Sequence, residues 1–393
     1  EKRHSKQYRT ARENLNHLVD AESFLEFGQF AVAAQRSRRD YEELQDKTNA
    51  DGIITGFCSI NSKLVGPKSS QAVAIVYDYS VLAGTQGAFH HLKLDRICDQ
   101  AKKFELPIII FTEGGGGRPG DTDVLTQIAG LHIPSFSSWA QLTGSSLKIA
   151  VNNGYCFAGN AALFGCSDFR IATKTSWIGM AGPAMIEGGG LGVFEPTDIG
   201  PVSVHEKNGV VDYVATNEEE ATLIAKKLLS YFQGSIEDFA VGDQEILQNI
   251  MPDDRRYTYE IRDIINTVSD QDSFLELRKK YGASIVTGFI RIEGKPFALL
   301  ASDCQKLGGA IDSESAEKAA DFISICNDHA LPILVLADTP GFMVGPASEE
   351  LGAVRRMASL FKQGANIKVP LVAVFLRKGY GLAAQALVGG SLH

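Results

Sequence analysis

The feature that most limits how this chain can fold is an internal repeat. Residues 73–78 (VAIVYD) read as a buried strand, followed by a loop ending Ala83-Gly84 and an amphipathic stretch over 93–104. A second apolar run covers 106–111 and leads into Glu113-Gly114-Gly115-Gly116-Gly117. Adding 225 to these numbers recovers the same text: residues 297–303, Gly308-Gly309, a helix carrying 318–329, the run 331–336 and then Asp338-Thr339-Pro340-Gly341-Phe342. Asp78, Gly84, Lys93 and Pro107 fall on Asp303, Gly309, Lys318 and Pro332 without a gap, and the same offset places Gly154-Tyr155 on Gly379-Tyr380. Upstream, Leu18-Val19-Asp20 and Ser23-Phe24-Leu25-Glu26 match Val268-Ser269-Asp270 and Ser273-Phe274-Leu275-Glu276 at an offset of 250.

Each copy alternates strand, helix and strand, and its strands are continuous apolar runs rather than alternating ones. That is the pattern of an α/β unit whose sheet is covered on both faces. A length of 393 residues is too great for one ordinary core, so two tandem domains related by duplication are expected, 1–240 and 241–393. Asn217 followed by three glutamates predicts an N-capped helix running to Tyr231, with Lys226-Lys227 on its solvated face, and residues 234–256 read as a linker.

A net charge of −9 argues against nucleic acid as a partner, and no apolar run is long enough to span a membrane. The six cysteines form no CxxC pair, which excludes a disulfide framework and a structural zinc site and fits a reducing compartment. Cys156 and Cys166, in an apolar Gly/Ala-rich stretch, read as buried inert thiols. No Ser-His-Asp set, zinc helix or Walker loop is present. Glycine and alanine instead collect where strands give way to helices: 114–117, Gly154 with Ala158-Gly159, Gly308-Gly309, Pro340-Gly341 and 379–384. Small residues there let a ligand approach free backbone N–H groups, so two matching turns suit a reaction that builds negative charge on two oxygens.

At these residues the sequence resembles the biotin-dependent acyl-CoA carboxyltransferases of the crotonase superfamily, over nearly its whole length. Residues 10–28 resemble the family's opening Ala-Arg-Glu…Ser-Phe-Glu-Glu segment, and 113–118 stand for Asp-Ser-Gly-Gly-Ala-Arg. Residues 338–342 are similar to its Asp-Thr-Pro-Gly-Phe signature, and 377–381 to Arg-Lys-Ala-Tyr-Gly. The resemblance implies two tandem crotonase-like (ClpP/crotonase) domains, the first on the acyl-CoA side and the second on the biotin side. It implies that the backbone of Ala158 and Gly159 holds the thioester oxygen, and that Gly381, Leu382 and Ala383 hold the ureido oxygen of biotin. Gly115, Gly116, Arg118 and Lys93 are the implied coenzyme A contacts, and Pro340, Gly341 and Phe342 the implied biotin-side contacts.

The implied reaction transfers a carboxyl group from carboxybiotin to the α-carbon of a short acyl-CoA, with the biotin anion taking the α-proton, so that no side-chain base is needed. Biotin would arrive on a separate carrier protein loaded by a biotin carboxylase, with no metal in this subunit and a homo-oligomer, a hexamer, sharing sites between chains. Bacterial cytoplasm is the expected location, with a mitochondrial matrix as the alternative. A biotin-dependent decarboxylase or transcarboxylase component and a non-catalytic acyl-CoA-binding assembly protein remain open, the latter because Leu382 and Ala384-Gln385 depart from the family pattern. Glu113 and Glu187 read as a turn acid and a surface acid. The family's C-terminal segment is absent, and the second copy is expected to be truncated at His393.

Overall fold

A computed structural model describes residues 2–124, 131–254 and 256–391; Arg255 of the expected linker lies outside them. The chain divides into two compact units, Glu1–His205 with Val214–Leu229, and Glu206–Tyr213 with Ser230–His393. The change of unit falls inside the helix Glu218–Phe232, ahead of residue 240, because residues 206–213 and the stretch after Leu229 pack with the second sheet. The expected linker therefore belongs to unit 2, where Ile236 N–H donates to Gly294 O at 3.0 Å. The expected cap is present: Asn217 Oδ1 accepts from Glu220 N–H at 2.9 Å.

The sheet of unit 1 runs in sequence order: β1 (Leu25–Phe27), β2 (Ile53–Ser59), β3 (Gln71–Tyr77), β4 (Ile108–Phe111), β5 (Lys148–Phe157), β6 (Phe169–Gly179) and β7 (Tyr213–Ala215). β1, β2 and β3 pair antiparallel, and β3 to β6 pair parallel. The second sheet holds β8 (Leu275–Leu277), β9 (Ile285–Ile292), β10 (Lys295–Ser302), β11 (Ile333–Thr339) and β12 (Leu371–Gly379), also in sequence order and with the same directions. All four residues of β4 are buried, as continuous apolar runs between covering layers require. The crotonase-like α/β double unit read from the sequence is the fold observed.

Strand register tests the repeat residue by residue. Val73 faces Ile108 in unit 1 and Ala298 faces Ile333 in unit 2, which keeps the offset of 225 on both strands. The upstream offset of 250 holds as well, and it carries an ion pair with it: Arg12 grips Glu26 at 2.6 and 2.9 Å, and Arg262 grips Glu276 at 2.9 and 2.5 Å. On the last shared strand the offset changes. Ile108 faces Lys148 and Ile333 faces Leu371, so β12 stands 223 positions after β5, because the chain between the paired strands is two residues shorter in unit 2. Gly379 therefore matches Cys156, and the alignment of Gly154-Tyr155 with Gly379-Tyr380 is a coincidence of letters.

Cys156 is buried as expected, with its thiol pushed up to about 12 by burial, whereas Cys166 is exposed at the end of the short helix Gly159–Gly165. Among the described residues no helix is long and apolar enough to cross a membrane.

Candidate functional site

In unit 1, β4 and β5 run parallel, and their C-terminal ends lead into the two glycine-bearing turns. The ends are zipped together: Gly114 N–H donates to Tyr155 O at 2.7 Å, and Phe157 N–H returns to Gly114 O at 3.0 Å. Parallel strands that end side by side place the loops that follow them next to each other, the usual station for a ligand on such a sheet. Gly115 N–H is taken by Ala83 O at 3.1 Å, and Gly116 N–H by Asn160 Oδ1 at 3.0 Å. Asn160, fully buried, also donates to Thr112 O at 3.1 Å, so one side chain fastens the first turn to the second. It was not read from the sequence, where an asparagine following glycine carries no special signal.

The turn after β5 is made by Ala158 and Gly159. Ala158 has φ 52 and ψ −118, a conformation that an alanine rarely adopts, and its N–H donates to Gly179 O on β6 at 3.0 Å. Its amide is therefore committed to the sheet. The N–H groups of Gly159 and Gly117, one in each turn, have no partner among the described residues. A Cβ on Gly116 would stand 2.8 Å from Ala158 Cβ, which shows how closely the two turns approach. Gly117 belongs to the 114–117 turn read from the sequence but was not singled out there, although its signal was available: it sits 225 before Phe342, itself a candidate.

Unit 2 builds the same turn from different letters. Tyr380 N–H donates to Thr339 O at 3.2 Å, as Phe157 does to Gly114, so Gly381 takes the place of Ala158 and Leu382 that of Gly159. Gly381 has φ 63. Gly341 N–H is held by Thr339 Oγ1 at 3.2 Å, and Gly341 O accepts from Ile311 at 3.1 Å, while the N–H groups of Phe342, Gly381 and Leu382 have no partner among the described residues. Ala383 lies one residue deeper in the helix Gly381–Leu387 and is buried, and Pro340 shapes the turn without an N–H to give.

The two expected coenzyme A cations are engaged inside unit 1. Lys93 Nζ donates to Ala50 O at 2.8 Å and to Ile53 O, and burial pushes its ammonium down to about 8. Its repeat partner Lys318 does the same in unit 2, donating to Ile285 O at 2.7 Å, Arg278 O and Tyr281 O at 3.0 Å and Gly282 O at 3.4 Å. Burial pushes Lys318 down further, to about 7. Both lysines are struts that tie the helix after the first repeat strand to the chain entering the strand before it. Arg118 leaves 4% of its side chain exposed and pairs with Asp51, with Asp121 3.5 Å away. Neither cation is turned outward toward a phosphate.

Each unit carries an acid at the end of its second repeat strand, Glu113 just past β4 and Asp338 within the last residues of β11. Glu113 is gripped by Arg3 at 2.7 and 2.8 Å, and burial, against the pull of that guanidinium, raises it to about 7. Asp338 accepts from Tyr259 Oη at 2.9 Å, Arg377 Nε at 3.0 Å and Lys378 N–H at 3.0 Å. Glu113 is thus a buried ion-pair partner rather than a plain turn acid, while Glu187 is exposed as expected. Beside Glu113 a cavity of about 490 Å³ is lined by Lys2, Lys6, Tyr8, Tyr79 and Tyr155.

Two α/β units with the same strand order and the same turns after their parallel strands place the chain in the class of crotonase-like double-domain proteins. Within that class, the sequence description of the carboxyl transferase domain matches residues 2–392, and the chain belongs to that family of carboxyltransferase enzymes. It is 30% identical to the methylmalonyl-CoA carboxyltransferase 12S subunit of Propionibacterium freudenreichii subsp. shermanii, covering 100% of this chain and 74% of the relative. It is also 30% identical to the propionyl-CoA carboxylase beta chain of Saccharopolyspora erythraea, covering 72% of that chain. Among solved structures, a single-chain, multi-domain long-chain acyl-CoA carboxylase superposes with a TM-score of 0.96 at 50% identity; the present chain spans 39% of its length. The transcarboxylase 12S hexamer with methylmalonyl-CoA bound superposes at 0.85 with 29% identity, over 98% of this chain and 74% of that one.

Proposed function

We propose that this chain is the acyl-CoA carboxyltransferase component of a biotin-dependent carboxylase, and the observation that carries the reading is the paired open amides. In unit 1 the N–H groups of Gly117 and Gly159 are fixed by the surrounding ladder and point to no protein acceptor. They suit the thioester oxygen of an acyl-CoA, which gains charge as the α-proton leaves. Donors already in place need no reorganisation as that charge develops, and one such donor is worth roughly 3–4 kcal/mol in the transition state. Gly115 and Gly116 are the scaffold of this hole, since both their amides are engaged.

The residues of unit 2 fit biotin in the same terms: Phe342 and Leu382 offer two unpartnered backbone donors, and Leu382 and Tyr380 are 63% and 58% exposed, leaving that turn open to a delivered ligand. Biotin supplies the carboxyl group to be transferred. Phe342 and Leu382 donate to an oxygen that becomes more negative as that group departs, and Gly381 gives the turn its left-handed residue. The acidic side chains beside the turns are held by Arg3, Arg377 and Tyr259, so the geometry favours a reaction in which the proton acceptor is not a side chain. Partners of two kinds then follow, a biotin carboxylase and a biotin carrier, and self-association is proposed from the likeness to the 12S hexamer.

The test is reconstitution of the purified chain with biotin carboxylase, biotinylated carrier, ATP and bicarbonate, with labelled bicarbonate followed into acyl-CoA. Incorporation dependent on all components is expected. Absence of incorporation into every acyl-CoA offered, together with absence of carboxyl exchange from malonyl- or methylmalonyl-CoA, overturns the reading. Exchange without net carboxylation assigns the chain to a transcarboxylase, as in the 12S relative.

A further inference from the structure

A second cavity of unit 1, of about 500 Å³, opens beside Gly117. It runs along the first two turns of the helix Ala88–Phe104, with Gln86, Ala88 and Leu92 on one side and Pro119 and Ile133 on the other. Its size is in the range of small-molecule sites, roughly 300–1,000 Å³. The charged groups at its margin are largely cancelled before a ligand arrives. Arg118 is bound to Asp51 and stands beside Asp121, and the Asp121 carboxylate also accepts from Ala88 N–H at 2.9 Å and Gln35 Nε2 at 3.0 Å. His91 is neutral at physiological pH, since burial first and the Arg118 charge second push it down to about 4, and its Nδ1 is bonded to Ser135 Oγ at 2.9 Å. Asp95 is raised by burial, which favours its uncharged form.

The walls left for a ligand are therefore mainly apolar, with polar groups, His132 among them, at the margin, and Gly117 is one of the residues that line the cavity. The cavity beside Glu113, by contrast, is lined by Lys2, Arg3 and Lys6 and suits charge. A third, of about 330 Å³ around Phe27, Phe89 and Lys93, is lined by neither turn. A molecule whose carbonyl sits on an oxyanion amide and whose remainder is a flexible hydrocarbon matches the first of these.

We propose that the cavity beside Gly117 receives the acyl chain of a long-chain acyl-CoA, with the thioester at Gly117 and the hydrocarbon against Ala88, Leu92 and Ile133. This rests on the carboxyltransferase reading for the identity of the thioester, and it replaces the short acyl chain that the family resemblance implied. The 50% identity to a long-chain acyl-CoA carboxylase, against 30% to a propionyl-CoA enzyme, points the same way.

Two measurements separate this inference from the reading beneath it. The first is equilibrium binding of ethyl-CoA and hexadecyl-CoA thioethers, which cannot react. The wild-type protein should bind hexadecyl-CoA at least about tenfold more tightly, since each buried methylene adds to affinity. Ala88→Phe, which fills the cavity, and Ile133→Asp, which places a charge in it, should each erase that preference while leaving ethyl-CoA within about twofold. The second is kcat/KM in the reconstituted enzyme for acetyl-, butyryl-, octanoyl- and palmitoyl-CoA, where the two variants should slow palmitoyl-CoA at least about tenfold and acetyl-CoA within about twofold. Equal binding of the two thioethers, or a preference that survives both substitutions, overturns the cavity assignment even if carboxylation proceeds. A chain-length preference in binding with no turnover of any acyl-CoA upholds the cavity and sinks the carboxyltransferase reading.

Discussion

Unit 1 and unit 2 make the same turn at the same station of their respective sheets, and they place glycine in it differently. Unit 1 puts alanine in the left-handed position and glycine at the open amide, Ala158-Gly159; unit 2 puts glycine in the left-handed position and leucine at the open amide, Gly381-Leu382. The surroundings explain the second difference. A Cβ on Gly159 would overlap Gln86 Oε1 and stand 2.9 Å from the ring of Phe136, and Gln86 cannot swing aside freely because it is buried with its Nε2 on Tyr77 Oη at 3.0 Å. Leu382 is exposed and meets no such wall. What the two turns share is a backbone donor, and each side chain there is set by its neighbours.

The largest expected effects test that conclusion directly. Gly159→Ala forces the turn away from Gln86 and should lower kcat by roughly 100- to 1,000-fold, the loss typical of one oxyanion donor. Leu382→Pro removes the amide itself and should cost about as much, whereas Leu382→Ala should stay within about twofold. Steady-state carboxylation by the reconstituted enzyme, with circular dichroism to confirm folding, checks all three. Equal damage from Leu382→Ala and Leu382→Pro would break the comparison, because the leucine side chain would then be the working group.

The frame of both units was legible in the sequence and the wiring of the site was not. Strand runs and the offset of 225 could be read because apolar continuity is local, and they placed Asp303, Lys318 and Pro332 correctly on Asp78, Lys93 and Pro107. The turn alignment slipped because Gly154-Tyr155 and Gly379-Tyr380 share letters, while register is set by a connection two residues shorter in unit 2. Ala158 read as an open donor because its acceptor, Gly179 O, belongs to β6, further along the chain. Lys93 and Arg118 read as ligand cations for the same reason: their partners, Ala50 and Asp51, lie more than forty residues earlier.

The struts give the next comparison. Lys318 serves four carbonyls and Lys93 two, so Lys318→Met should destabilise by about 3 kcal/mol and Lys93→Met by about half of that, by chemical denaturation at pH 7. The pH dependence has a definite sign. A lysine whose folded value is lowered from 10.5 to about 7 is more protonated in the unfolded chain between those values, so its contribution to stability rises with pH across that window. Lys318→Met should flatten that rise.

Glu113 has the opposite sign. Glu113 is raised from 4.5 to about 7, so between pH 4.5 and 7 the folded chain holds the proton that the unfolded chain has lost. Its contribution to stability is complete below pH 4.5 and declines as pH rises to 7, by roughly 3 kcal/mol. Glu113→Gln should remove that slope, and Asp338→Asn should leave it in place. Denaturation midpoints measured at half-unit steps of pH distinguish the two, and an unchanged slope in Glu113→Gln would assign it to another group.

The smallest effect concerns the alanine that stands where unit 2 has glycine. At φ 52 and ψ −118, Ala158 carries the backbone strain of an L-residue in a conformation that favours glycine, a cost of about 1–3 kcal/mol held in place by the bond to Gly179 O and by packing on Gly116. Ala158→Gly relieves that strain but gives the unfolded chain more freedom and removes a methyl group that Gly116 touches. The balance should be a gain of about 1 kcal/mol, read as a modest rise in Tm, with kcat within about twofold because the Gly159 amide keeps its place. The reverse exchange, Gly381→Ala, should lose about 1 kcal/mol, since it introduces the strain without the bond to a following strand that Ala158 enjoys. A loss of stability in Ala158→Gly would show that the methyl contact with Gly116 outweighs the strain, and would make the difference between the two turns a matter of packing rather than of backbone conformation.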